Sequence, residues 1–202
     1  AYQRLGTTIL GGASSSMVCG LYSKIPALNN PNGFRQILNH EFGHAFGKLA
    51  DEYWYENTAT PIDEVSKQYI IEQHSYGNMS NIDVTGDPTS VLWSHFITDK
   101  RYQNENIGVY EGGHLCNKGV WRATENSIMR IDTGDAVFNA PSREAIYKRI
   151  MKLAYGDSWQ YDYEKFVEYD AINRSSVPKL LRRTVEIPKD FKPLPPPVII
   201  YK

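Results

Sequence analysis

His40-Glu41-Phe42-Gly43-His44 sets two imidazoles four residues apart, with a carboxylate beside the first. On an α-helix, residues four apart stack on one face, so both rings can aim at a single point. Neutral imidazole is a good ligand for Zn2+. Glu41 sits at the edge of that face and can reach a metal-polarised water without binding the ion, an arrangement suited to general-base hydrolysis. With 5 histidines in 202 residues, a random chain of this composition holds about 0.007 copies of the pattern. A solvated helix face carrying these residues by coincidence is therefore a poor account of them. A catalytic zinc also needs a third protein ligand and an open position for water. Gly47 can take positive φ and turn the chain sharply after the helix. Asp51 and Glu52 are the next carboxylates, and Asp51 is the expected third ligand. Either could instead cap a turn or pair with Lys48. Asp63 and Glu64 lie near the distance at which a second helix could supply a Glu, but lack the sequence context for it.

The elements around the motif are readable. Asn30 and Pro31 form a helix start, and Phe34, Ile37, Leu38, Phe42, Ala45 and Leu49 recur at helical spacing, predicting a helix over residues 31–47 with an anchored apolar face. Residues 1–23 read as two short strands. From Asp51 to Asp135 the chain is rich in glycine and turns, as irregular structure wrapped around a site would be, with a short helix near 64–71. A second helix runs from Ser142 to Tyr155, entered by Pro141 and ended by Gly156. Tyr161–Asp170 and Leu181–Ile187 read as strands, and the five prolines of 188–197 favour an extended path. The expected division is a catalytic unit at 1–156 followed by an extension at 157–202.

Composition narrows the function classes. Hydrophobic residues make up 41% and charged residues 22%, ordinary for a globular chain. A net charge of −1 lacks the basic field that nucleic-acid binding requires. The longest apolar run, Val198–Tyr201, is far too short for a membrane span. Cys19 and Cys116 are the only cysteines; they are either one bridge in an oxidising compartment or two buried thiols. His74 and His95 read as ordinary histidines.

The stretch His40–Tyr53, HEFGHAFGKLADEY, resembles the signature of the igalysins, the IgA peptidase family of metzincin-like zinc endopeptidases. The resemblance continues in order through Asn78-Met79-Ser80-Asn81, Val91-Leu92-Trp93, Gly108–Gly113, Gly119–Arg122, Asn126–Arg130 and Phe138–Ile150, over about residues 30–155. It implies an α+β metzincin-like zincin with a short upper sheet, an active-site helix, and an irregular lower subdomain with a Met-turn and a C-terminal helix. It implies Zn2+ held by His40, His44 and Asp51, with Glu41 as the general base. It also implies that Met129 forms the Met-turn beneath the two rings, where a soft thioether supports them without competing for zinc. Common metzincins place the third ligand three residues after the glycine. Here that residue is Ala50 and the carboxylate follows it, a shift shared by the igalysin pattern. The family is largely bacterial and exported, which implies the periplasm, the outer surface or the medium.

Tyr53, Tyr110, His114, Arg122 and Arg130 are candidates for polarising a scissile carbonyl or binding substrate, with His114, after two glycines, the most suggestive. Only about 30 residues precede the zinc helix, so upstream strands of a complete catalytic domain are expected to be missing. The reading is a zinc endopeptidase acting on extended polypeptides. Its rivals are a non-catalytic protein- or glycan-binding module on a peptidase fold, and a zinc amidase acting on non-protein amides.

Overall fold

Proline suits the first turn of a helix because its missing N–H would be an orphan there, and α1 (Pro31–Ala45) begins on one. The computed structural model describes residues 31–130 and 136–174. The strands expected at 1–23 and 181–187, the Asn30 cap, Cys19 and the proline-rich 188–197 lie outside these residues. α1 ends two residues before its expected boundary. The N–H groups of Phe46 and Gly47 bond back to the Phe42 carbonyl (2.9 and 3.4 Å), and Leu49 N–H reaches that of Gly43 (3.1 Å). The left-handed residue in this stop is Lys48 (φ 55°), not Gly47. Gly47 is required by space instead: a Cβ there would lie 2.8 Å from the Gly43 carbonyl oxygen and 3.0 Å from Ile146. The expected core anchor Phe42 is 38% exposed and stacks on Phe46 (5.0 Å). The inward face carries Gly43 and Ala45 instead.

Asp63 caps α2 (Glu64–Ser75), accepting from Ser66 N–H. The stretch expected to be irregular also contains α3 (Ser94–Thr98), a 3-10 helix at Lys100–Glu105, and three strands: β1 (Ile82–Asp83), β2 (Tyr110–Gly113) and β3 (Cys116–Arg122). The sheet order is β1-β3-β2, and both pairings are antiparallel. Tyr110 faces Arg122 and Gly113 faces Cys116, with a register shift between them. At the shift Gly112 has φ 102°, and a side chain there would collide with the Trp54 indole. The hairpin turns through His114 and Leu115, both at positive φ (50° and 64°). A tight hairpin needs that geometry, but Asn-Gly usually supplies it. Here the strain is held by backbone bonds: His114 N–H to Asp51 O (2.8 Å) and Leu115 N–H to Tyr53 O (3.0 Å).

α4 (Ala140–Tyr155) is close to the expected helix, capped by Asn139 and followed by Gly156 at φ 76°. The strand expected at 161–170 is wrong. That segment holds α5 (Tyr163–Tyr169), followed by α6 (Ala171–Arg174). Its tyrosines and valine resemble a strand, but Asp162 accepts from the N–H groups of Glu164 and Lys165 and starts a helix. Phe166 and Val167 then enter the same core as Val91, Trp93, Phe96, Tyr102 and Tyr147, so packing continues past Gly156. A second core of Ala50, Ile70, Ile82 and Val120 joins α2 to the sheet. A third, formed by Leu49, Ile128 and Met129, includes Phe138 and Ile146 at its edge. The whole is a mixed α and β arrangement with a small antiparallel sheet. Among the described residues Cys116 has no disulfide partner. Among the described residues, no helix is long and apolar enough to cross a membrane.

Candidate metal centre

His40 and His44 stand one turn apart on α1, and the turn at Lys48 returns the chain so that Asp51 meets both. His40 Nε2 and His44 Nε2 are 3.0 Å apart, and Asp51 Oδ1 lies 3.1 Å from each. The other nitrogen of each ring is fixed by backbone: His40 Nδ1–H donates to Ile128 O and His44 Nδ1–H to Leu49 O, both at 2.8 Å. A carbonyl only accepts, so each Nδ1 carries the proton, and in a neutral ring Nε2 is a bare lone pair. Three lone-pair donors in mutual contact repel one another unless a proton or a metal ion lies among them. Ligands about 2.0–2.1 Å from one tetrahedral zinc stand about 3.3 Å apart, close to the observed spacing. Two imidazoles and a carboxylate also suit a catalytic zinc with one position left open. The donor set therefore fits the ion. The His44 and Asp51 side chains are 23% and 25% exposed, so the cluster is open to solvent.

The cluster favours positive charge, whether carried by a proton or by an ion. Burial works against protonation of both rings, but Asp51 and the backbone carbonyls outweigh it, so His40 and His44 titrate above their ordinary value. The same contacts overcome burial at Asp51 and hold its carboxyl well below the usual range. Glu41 is buried, and its Oε2 has no hydrogen-bond partner among the described residues. Burial pushes its carboxyl above the ordinary value, against the pull of the two rings.

Gly43 shares the helix face of His40 and His44. A Cβ on it would lie 2.5 Å from Met129 Sδ and 2.9 Å from Phe138, so the buried Met129 thioether packs directly against the helix at Gly43. Asp63 and Glu64 are occupied elsewhere, Asp63 capping α2 and Glu64 facing Lys67 at 3.9 Å. Glu52 turns away from the cluster and is completely buried.

Of the candidate substrate contacts, His114 is tied to the centre: its N–H holds the Asp51 carbonyl, and its imidazole feels the Asp51 charge. Burial pushes that imidazole below its ordinary value, so it is neutral at neutral pH. Tyr53 also lies alongside, its ring 6.3 Å from that of His40. Tyr110 donates its hydroxyl to Asn106 O (3.0 Å). Arg122 is buried and spends its donors on the carbonyls of Glu111 (2.7 Å) and Gly112 (2.8 Å) while covering the Trp54 ring. Both of these serve the hairpin. Sequence reasoning missed Asn81, Ser127 and Asn139, which surround Glu52. Asn, Ser and Asn in turn-rich segments carry no periodic signal that separates them from ordinary turn formers. Compared with known proteins, the chain matches no family model and no curated protein.

Proposed function

We propose that this chain is a zinc-dependent endopeptidase with a metzincin-like catalytic domain, acting on extended polypeptides outside the bacterial cytoplasm. The observation that carries this reading is the convergence of His40 Nε2, His44 Nε2 and Asp51 Oδ1 within 3.1 Å of one another, beside a carboxylate with an oxygen that has no partner among the described residues. His40, His44 and Asp51 would hold the ion, which when bound supplies Lewis acidity toward a carbonyl and a water. Glu41 takes the proton of the attacking water and passes it to the leaving amine. Its raised proton affinity suits a group that must both accept and return a proton. The neutral His114 imidazole is the donor available for charge developing on the scissile carbonyl. Met129, packed on Gly43, supports the ring pair from below as a Met-turn would. An exported location rests on the igalysin resemblance alone.

The test is zinc content together with turnover of a quenched peptide library, with Glu41→Gln as control. We expect a single zinc per chain, and peptide cleavage that falls about 10²–10⁴-fold in Glu41→Gln with zinc retained. Stoichiometric zinc without Glu41-dependent cleavage would point to a binding module. Hydrolysis confined to non-peptide amides would point to an amidase.

A further inference from the structure

Glu52 follows the proposed ligand Asp51, but its side chain enters the core. Its Oε1 accepts from Asn81 Nδ2 (3.0 Å) and Asn139 Nδ2 (3.2 Å). Its Oε2 accepts from Ser127 Oγ (2.6 Å) and, more weakly, from Asn139 Nδ2 (3.4 Å). Each donor is oriented by a second bond: Asn81 Oδ1 accepts from Ala50 N–H (2.8 Å), Ser127 Oγ from Met129 N–H (3.1 Å) and Asn139 Oδ1 from Ser142 N–H (3.1 Å). Asn81 and Asn139 cannot reverse without abandoning a backbone group, whereas Ser127 Oγ keeps a second lone pair and can accept as well as donate. Both amides therefore present hydrogens to position 52, and a carboxylate can accept from Asn139 at either oxygen. An amide of the same shape would set its N–H against Asn139 Nδ2, which reaches both carboxylate oxygens.

These bonds grip the metal centre from two sides. Asn81 clamps both backbone groups of Ala50, the residue before Asp51 (2.8 Å each). Glu52 N–H bonds to Met129 O (2.8 Å), and the neighbouring carbonyl of Ile128 is the one that orients His40. The Asp51 segment and the turn that sets His40 thus share one carboxylate. We propose that Glu52 is a positioning residue for the metal centre, a buried carboxyl whose hydrogen bonds lock the Asp51 ligand segment to the Ile128–Met129 turn. The inference rests on the metal-centre reading above.

The test compares wild type, Glu52→Gln and the double variant Glu52→Gln/Asn139→Asp. The second substitution keeps the cap on Ser142, since Asp and Asn serve equally as N-caps. It also offers an acceptor to the amide introduced at position 52. Zinc affinity is measured by chelator competition. The Nδ1–H resonance of His40 is followed by NMR in the metal-free protein. Glu52→Gln should weaken zinc binding about 10–100-fold and broaden the His40 resonance, and the double variant should recover most of both. Wild-type zinc affinity in Glu52→Gln overturns the proposal, even if the melting temperature falls, because Glu52 is then structural only. Equal weakness of the single and double variants overturns it too, since bond polarity is then not what matters. If Glu52→Gln does not fold, Ser127→Ala decides: a loss of zinc affinity of about threefold or more supports the role, and no loss overturns it. A wild-type protein that binds no zinc removes the metal-centre reading itself, and this proposal with it.

Discussion

His40, His44 and Asp51 on one side, and His95, Glu144, Lys148 and Tyr161 on the other, are assembled from the same kinds of group. Glu144 is buried, faces His95 Nε2 at 3.1 Å and Lys148 Nζ at 3.0 Å, and accepts from the Tyr161 hydroxyl. Lys148 also lies over the Tyr161 ring, 4.1 Å from its centroid. Both carboxylate oxygens have donors, and the negative charge has a cation beside it. The centre on α1 is the opposite case. Its proton-bearing nitrogens are turned to backbone carbonyls, and what converges is three acceptors, with a Glu41 oxygen nearby that has no partner among the described residues. Histidine beside carboxylate is therefore not a site in itself. A site is signalled when the partners present leave a charge or a lone pair to be met by something else.

Replacing His44 by Ala should have the largest effect. Zinc present at about 1,000 times its dissociation constant should stabilise wild type by about 4 kcal/mol and the variant not at all, as read by melting with and without the ion. His95→Ala should leave that zinc-dependent shift intact. Gly43→Ala sharpens the contrast from beneath. Alanine normally favours a helix over glycine by about 1 kcal/mol, but here the added carbon meets Met129 Sδ at 2.5 Å. We expect a net loss of about 1–3 kcal/mol by denaturant unfolding, with weaker zinc binding. In the satisfied cluster, Glu144→Gln should cost about 1–3 kcal/mol with zinc affinity unchanged. Asp162→Ala, which removes the cap of α5, should cost about 1 kcal/mol and likewise spare zinc.

The smallest effect is on acid stability. Burial disfavours the charged form of Glu144, but His95, Lys148 and Tyr161 outweigh it and hold the carboxyl below its ordinary value. A carboxyl depressed in the folded state contributes stability that is fully present above the unfolded value of about 4.3 and is lost as pH falls through the lower folded value. The melting temperature should therefore fall more steeply in wild type than in Glu144→Gln below about pH 4. Parallel curves would show that Glu144 makes no such contribution.

Legibility followed the range of each interaction. α4 was readable because its entering proline, apolar face and terminal glycine lie close together in sequence, and α1 because its stripe repeats every turn. The β2–β3 hairpin was not, because His114 and Leu115 are not turn formers. They hold positive φ only because Asp51 and Tyr53, some sixty residues earlier, accept their N–H groups. α5 was misread because tyrosine and valine suggested a strand while a single Asp cap decided the matter. Phe42 was misassigned because helical spacing shows that a face exists but not how far the helix is rolled. Met129 and Phe138, packed against Gly43, set that roll.

From residue order alone, the two imidazoles and Glu41 had to share one helical surface, since a rise of 1.5 Å per residue and 3.6 residues per turn leave no other outcome once that segment is helical. The choice between Asp51 and Glu52 was not available in the same way, because adjacent carboxylates are equivalent until something claims one of them. Asn81, Ser127 and Asn139 claim Glu52, and the two rings claim Asp51. Those donors come from segments 29 to 87 residues away, so only the folded chain could bring them to bear.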